Sequence, residues 1–137
     1  MILVDTGPLV ALFDPRDGMH SRARGTLKDV RETLWTTIAV LTEAFHMLEP
    51  NSIGSDRLRD FVMKGGLSIW FFDHTALARA FELMEQYDDR PMDLADASLI
   101  SAAETLQTRK VFTLDAADFS AYRIRRGHRY HPVDIIR

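Results

Sequence analysis

Cysteine is absent from the 137-residue chain. Its absence excludes disulfide bonds and thiolate metal sites, so any bound metal must use oxygen or imidazole ligands. The sequence also lacks the roughly 20 consecutive apolar residues that a membrane-spanning helix needs. The apolar run Ile2–Val4 has no basic segment before it and is broken at Asp5, which is unlike a signal peptide. We therefore expect a cytoplasmic protein without a membrane partner.

Positive charge is scarce, since 17 lysines and arginines stand against 20 acids and the formal net charge is −3. This balance argues against a protein that coats nucleic acid by charge alone. Residues 121–137 are the exception, because they hold one acid and five arginines, namely Arg123, Arg125, Arg126, Arg129 and Arg137. A basic end beside an acidic body suits an enzyme that holds phosphates and buries carboxylates around a metal. A solvated basic tail explains the same pattern.

Short apolar runs alternate with segments of helical periodicity along the chain. The length and the 46% content of hydrophobic residues predict one folded domain over residues 1–137. Strands are predicted at 2–4, 34–37, 67–72, 110–114 and 132–136, and helices at 19–32, 38–49, 52–64, 75–87 and 93–106. In the 75–87 helix, Leu77, Phe81 and Met84 are predicted to share an apolar face. The alternation predicts a three-layer α/β/α domain with a central parallel sheet.

Two aspartates follow apolar runs of the kind that form buried strands. Asp5 comes directly after Ile2–Val4, and Asp115 comes directly after 111–114. Ligands of open α/β sheets bind outside the carboxyl ends of the strands, so both positions favour a functional site. The alternative for each is a helix N-cap or a turn, where aspartate is common.

Three further acids lie in predicted helices. Glu43 falls in the mostly apolar segment 37–48, where a carboxylate needs a metal, an arginine or a place at the rim. Asp93 and Asp96 are three residues apart at a helix start, so they share one face. Asp93 is predicted to be the N-cap, with Asp96 in the first turn. We favour Asp96 as the metal ligand and Asp93 as a cap or supporting residue.

Carboxylates that converge raise one another's pKa and destabilise a fold unless something neutralises their charge. Mg²⁺ or Mn²⁺ does so with hard oxygen ligands and retained water. Such an ion activates water at neutral pH and stabilises charge on a phosphodiester. The carboxylates therefore predict metal-assisted hydrolysis of nucleic acid.

Four segments in this order resemble the PIN domain family, and within it the VapC-type toxins of bacterial and archaeal toxin–antitoxin pairs. They are Leu3–Leu12 (LVDTGPLVAL), Leu41–Ala44 (LTEA), Asp93–Leu99 (DLADASL) and Thr113–Phe119 (TLDAADF). The resemblance spans nearly the whole chain. It implies a parallel sheet flanked by helices and a Mg²⁺- or Mn²⁺-dependent endoribonuclease.

The resemblance also implies roles for individual residues. The catalytic and metal-binding quartet would be Asp5, Glu43, Asp96 and Asp115. Thr6 and Thr113 would be polar neighbours, and Asp93 and Asp118 would bind a second metal or orient water. It further implies a homodimer, a cognate antitoxin that blocks the site, and a structured RNA substrate such as transfer RNA or ribosomal RNA. Leu12, Phe13 and the 52–64 helix would lie near the antitoxin, or would belong to the core.

The segment 122–131 alternates basic and aromatic residues. It predicts RNA contacts, with Arg123, Arg125, Arg126 and Arg129 on phosphates and aromatic rings on bases. A charged edge strand that discourages aggregation is the alternative.

A catalytically inactive PIN-fold module that binds RNA or a partner is the main rival function. A phosphatase with Asp5 as nucleophile would want a second aspartate where the chain has Gly7.

Overall fold

The computed structural model describes residues 1–137 as seven helices and seven strands. The strands are β1 (Ile2–Val4), β2 (Leu34–Thr37), β3 (Ser68–Trp70), β4 (Lys110–Phe112), β5 (Arg123–Arg126), β6 (Arg129–Pro132) and β7 (Asp134–Ile136). The helices are α1 (Thr6–Phe13), α2 (His20–Asp29), α3 (Ile38–Leu48), α4 (Ile53–Met63), α5 (His74–Gln86), α6 (Leu94–Leu106) and α7 (Ala116–Ala121). No helix is both long enough and apolar enough to cross a membrane.

Five strands form one parallel sheet in the order β3-β2-β1-β4-β7. The first strand, β1, lies at its centre, and all three of its residues are buried. Because every pair is parallel, the carboxyl ends of the strands lie at one edge of the sheet. The predicted three-layer α/β/α fold with a central parallel sheet is confirmed.

The core is one cluster of 29 buried hydrophobic residues. Helix α6 contributes most, because it packs against α3, α5, β1 and β2 and buries nearly every residue from Ala95 to Ala103. The apolar face predicted for α5 is only partly buried: Met84 packs against the core and Phe81 is 54% exposed, whereas Ala76, Ala80 and Leu83 beside it are buried. The small side chains of Ala76 and Ala80 let α5 pack closely against α6. This close packing decides which face of α5 is buried and leaves the larger Phe81 side chain exposed.

The basic segment near the C-terminus forms a structure that the sequence did not predict. Strands β5 and β6 make an antiparallel hairpin outside the main sheet, joined by Gly127 and His128. Gly127 has a φ of 61°, a left-handed conformation that glycine adopts without strain. The edge strand predicted at 132–136 is β7, which pairs in parallel with β4. The short helix α7 was not predicted.

Candidate active site

The two aspartates that follow neighbouring central strands both cap helices. Asp5 follows β1 and its Oδ1 accepts from Thr6 N at 2.8 Å, at the start of α1. Asp115 follows β4 and its Oδ1 accepts from Asp118 N at 3.1 Å, at the start of α7. Both aspartates are therefore helix N-caps, as the alternative interpretation predicted. An N-cap can also belong to a functional site. Each cap fixes one carboxylate oxygen at the carboxyl edge of the sheet.

A single buried hydroxyl connects these two aspartates. Thr113 Oγ1 donates to Asp5 Oδ2 at 2.8 Å and accepts from Asp115 N at 3.0 Å. Thr113 has no solvent exposure, and its bond to Asp5 is buried, whereas its bond from Asp115 N is partly exposed. The buried hydroxyl of Thr6, next to Asp5, has no hydrogen-bond partner. The structure thus places both predicted threonines beside Asp5, one as its donor and one with an unused polar atom.

Helix α6 brings Asp93 and Asp96 to the same edge. Asp93 is the N-cap, and its Oδ1 accepts from Asp96 N at 2.8 Å, as predicted. Asp96 lies in the first turn and is partly buried, whereas Asp93 is exposed. Glu43, in the middle of α3, is partly buried, and it forms no ion pair. Helices α3 and α6 are joined by a 2.6 Å hydrogen bond between the buried Thr37 and Ser98 hydroxyls.

Burial and mutual repulsion change the acidity of Asp5. Burial raises the pKa of its carboxyl to about 6, and the hydrogen bonds from Thr113 and Thr6 oppose this rise. The negative charges of Glu43 and Asp93 raise the pKa further. Glu43 and Asp93 belong to other segments of the chain than Asp5, so the fold has brought their charges close enough to act on Asp5.

The pKa of Asp96 is raised as well. Burial raises the pKa of its carboxyl to about 7, and the charges of Asp93, Asp5 and Asp115 add to the rise. All four predicted quartet residues and Asp93 therefore interact electrostatically within one carboxylate cluster. We use this name for Asp5, Glu43, Asp93, Asp96 and Asp115.

Asp118 lies at the margin of the carboxylate cluster. Burial raises the pKa of its carboxyl, and the charge of Asp115 and a hydrogen bond with it act in the same direction. Arg90 counters this effect, since its guanidinium lies 3.7 Å from Asp118 Oδ1. Sequence reasoning had not singled out Arg90, whose segment offers no pattern that points to the site.

Tyr122 lies in a different environment from the one that the sequence predicted. Its ring was predicted to be available to RNA bases, but it is fully buried, with edge contacts to Tyr87 and Phe119 at centroid distances of 5.1 Å. Its hydroxyl donates to Asp96 Oδ2 at 3.0 Å. Burial and the charge of Asp96 raise the pKa of Tyr122, so the hydroxyl keeps its proton and remains a donor. The hydrophobic contacts of the ring explain why an aromatic residue stands here.

The four hairpin arginines lie outside the carboxylate cluster. Arg123, Arg125, Arg126 and Arg129 are all exposed. None forms an ion pair, in contrast to Arg16, Arg59, Arg79, Arg90 and Arg109. The predicted basic surface therefore exists as unpaired positive charge, beside the cluster and not within it.

The donor set of the carboxylate cluster suits Mg²⁺ or Mn²⁺. No three carboxylate or imidazole groups are arranged as a ready-made coordination shell. Mg²⁺, however, is usually bound by one or two carboxylates and keeps several waters, so it does not need such a shell. The Asp96 side chain accepts a hydrogen bond on Oδ2 from Tyr122, and its Oδ1 accepts none within the protein. Burial first, and neighbouring carboxylates second, raise the pKa values of Asp5 and Asp96, and a divalent cation bound there would stabilise their ionised forms.

Comparison with known proteins agrees with this geometry. Residues 2–125 match the model of the PIN domain. The chain is 24% identical over 132 residues to Ribonuclease VapC26 of Mycobacterium tuberculosis, which covers 94% of this chain and 97% of the relative.

Solved structures are similar in fold. VapC20 of M. tuberculosis, described as a sarcin-ricin loop cleaving toxin, superposes with a TM-score of 0.78 at 17% identity, covering 85% of this chain and 91% of that one. A toxin–antitoxin complex from Klebsiella pneumoniae gives a TM-score of 0.70 at 19% identity, with coverages of 88% and 92%. The match to the domain model spans most of the chain, and on that ground this protein belongs to the PIN domain family.

Proposed function

We propose that this protein is a Mg²⁺- or Mn²⁺-dependent endoribonuclease and that residues 1–137 act as a single PIN domain. The observation that carries the proposal is the carboxylate cluster, in which burial and mutual repulsion raise the pKa values of Asp5 and Asp96. A PIN-domain chain whose relative is a ribonuclease supports RNA as the substrate class. The similarity to a sarcin-ricin loop cleaving toxin favours a structured RNA, such as ribosomal or transfer RNA.

The chain's own residues divide the work by their positions. Asp5, Glu43, Asp96 and Asp115 would supply the oxygen ligands for the cation. When bound, the cation activates water and stabilises negative charge on the phosphodiester. Thr113 orients Asp5 and Tyr122 orients Asp96 through their hydroxyl donors. Asp93 and Asp118 would orient water or bind a second cation.

We propose that a cognate antitoxin and a second copy of the chain are its protein partners. A groove of about 560 Å³ runs between α1, α2 and α4, lined by residues that include Leu12, Phe13, Leu27 and Phe61. This apolar groove supports the proposal of an antitoxin partner, since the similar Klebsiella structure is a toxin–antitoxin complex. Exposed apolar residues of α3 and α5, including Ile38 and Phe81, support the homodimer.

The test is cleavage of total cellular RNA by the purified chain, with Mg²⁺, with Mn²⁺ and with EDTA. The Asp5→Asn variant runs beside it, and Asp73→Asn serves as the matched control. Asp73 is also a helix N-cap, with Oδ1 accepting from Ala76 N at 2.8 Å at the start of α5, but it lies outside the carboxylate cluster. Discrete fragments that require both the cation and Asp5, and that persist with Asp73→Asn, are the expected result.

A folded protein that binds Mn²⁺ but cuts no RNA would overturn the nuclease and favour a binding module. Cleavage that persists unchanged in EDTA would overturn the metal dependence alone. Mapping the ends of the fragments identifies the substrate and the bond that is cut.

A further inference from the structure

The β5–β6 hairpin has two chemically different faces. In an antiparallel pair, side chains of directly opposed residues lie on the same face. The register pairs Arg125 with Tyr130 and Arg123 with Pro132, so these four residues share one face. Ile124, His131, Arg126 and Arg129 share the opposite face. The four arginines, which the sequence presents as one basic run, are therefore divided in two.

Burial identifies which face is turned inward. Ile124 is 3% exposed and belongs to the core, and Arg126 on the same face donates to the Gln107 carbonyl at 3.3 Å. The opposite face is free, with Tyr130 56% exposed. We call Arg123, Arg125 and Tyr130 the outer face. The Arg125 guanidinium has neither an ion pair nor a hydrogen bond within the protein, so its charge is available to a ligand.

The outer face is fixed in position by the edge of β5. Arg123 N donates to the Tyr87 hydroxyl at 3.0 Å, and Arg125 N donates to Glu104 Oε2 at 2.7 Å. Glu104 is held in turn by Arg79, through bonds of 2.7 and 3.0 Å. These contacts anchor the hairpin on α5 and α6, so the outer face loses little conformational freedom when it binds.

The outer face begins beside α7, the helix that Asp115 caps, and reaches a pocket through Arg125. It begins one residue after Tyr122, whose hydroxyl contacts Asp96. The Arg123 guanidinium is anchored beside it by the carbonyls of Ser120 and Tyr122, both at 2.9 Å. Arg125 also lines a pocket of about 480 Å³ that includes Trp70 and Phe71. Phe71 is 67% exposed there.

We propose that the outer face binds a single strand of the RNA substrate next to the carboxylate cluster. Arg123 and Arg125 contact its phosphates, Tyr130 stacks on a base, and Arg126 and Arg129 take no part. The inference rests on the proposed function and adds to it the path of the strand. Arginine beside an exposed aromatic ring is the combination that binds single-stranded nucleic acid. An acidic protein bound to the outer face would pair with the arginines but would not need the exposed Tyr130 ring.

The test measures RNA binding without cleavage. Each variant is made in the Asp5→Asn background, and the probe is a fluorescein-labelled single-stranded RNA of about 12 nucleotides, followed by anisotropy. We expect Arg125→Gln and Tyr130→Ala each to weaken binding by roughly 5- to 10-fold. The matched control Arg126→Gln removes the same charge from the same hairpin and is expected to weaken binding less than about 2-fold. Arg125→Gln also lowers the slope of log affinity against log salt by about 0.7.

Equal losses for Arg125→Gln and Arg126→Gln would overturn the proposal, because charge alone would then explain binding. Unchanged affinity in Tyr130→Ala, or competition by poly-glutamate as strong as by RNA, would also overturn it. Cleavage by the parent protein is assayed separately with Mg²⁺. If the parent cuts RNA while Arg125→Gln binds normally, only the strand path fails. If the parent cuts nothing while the outer face binds RNA as expected, the proposed nuclease fails and the surface stands.

Discussion

The Tyr122 hydroxyl donates to Asp96 Oδ2 over 3.0 Å, from a ring that is completely buried. This bond fixes the orientation of Asp96 and leaves its other oxygen, Oδ1, facing no protein donor. Tyr122 also immediately precedes β5, so the base of the arginine hairpin is attached to the carboxylate cluster. One side chain therefore couples the proposed metal ligands to the proposed RNA surface.

Tyr122→Phe is expected to weaken Mn²⁺ binding and RNA cleavage by about 10-fold each, as losses of residues that orient metal ligands do. Phenylalanine keeps the ring contacts with Tyr87 and Phe119, so the free energy of unfolding should fall by only about 1 kcal/mol. Titration calorimetry with Mn²⁺, RNA cleavage and thermal unfolding measure the three quantities.

Tyr87→Phe is the control for this substitution, because it removes a tyrosine hydroxyl that accepts from Arg123 N and contacts none of the carboxylates. It should cost a similar stability without changing the Mn²⁺ affinity. If the two variants bind Mn²⁺ equally, Tyr122 has no positioning role.

Asp5→Asn is expected to lower the rate of RNA cleavage by roughly two orders of magnitude or more, because the neutral amide is a poorer ligand for a hard cation than a carboxylate. The variant should unfold at a higher temperature than the parent at pH 8 without metal. Burial and the charges of Glu43 and Asp93 make the ionised Asp5 unfavourable there. Calorimetry of both proteins in EDTA checks this, and a lower melting temperature would contradict the repulsion inferred for the cluster.

Thr113→Val removes the hydroxyl that joins Asp5 to Asp115 while it keeps the shape of the side chain. We expect a loss of about 1–2 kcal/mol in stability and a loss of cleavage of about 10-fold. Thr36→Val is the matched control, since the buried Thr36 hydroxyl donates to the Val4 carbonyl and touches no carboxylate. A control that loses as much activity as Thr113→Val would assign the effect to the sheet and not to the site.

The stability of the metal-free protein should fall as pH rises from about 4 to about 8. Asp5 and Asp96 have pKa values of about 6 and about 7 in the folded protein, and the ordinary value is 3.8. Between these values the folded state holds more protons than the unfolded state, so raising the pH removes stability. This is opposite in sign to the usual effect of ion-paired carboxylates. Thermal unfolding across this range in EDTA measures it.

Saturating Mg²⁺ or Mn²⁺ should flatten that pH profile, because the cation stabilises the ionised carboxylates and competes with protons. The affinity for Mn²⁺ should therefore rise with pH between 5.5 and 8, a window chosen around the two raised pKa values. A constant affinity across the window would exclude Asp5 and Asp96 as ligands. The Asp73→Asn control should follow the parent.

The sequence by itself predicted the fold class and, through its resemblance to PIN domains, the acids that form the carboxylate cluster. A short, wholly apolar run such as Ile2–Val4 favours a buried parallel strand, and the alternation of such runs with helices favours parallel connections. The positions of Asp5 and Asp115 after such runs, and of Asp93 at a helix start, follow from local chain chemistry. Helix caps and strand ends depend on a few neighbouring residues, so they can be predicted without the rest of the molecule.

Only the tertiary structure decided what Tyr122, Thr113 and the hairpin arginines contact. The Tyr122–Asp96 bond spans 26 positions and the Thr113–Asp5 bond spans 108, so no local pattern encodes either. The separation of Arg125 from Arg126 depends on the register of a hairpin that packs on α6 through Ile124. Such contacts arise when buried surfaces from distant segments fit together. The raised pKa values of Asp5 and Asp96 have the same origin, since burial and neighbouring charge exist only in the folded chain.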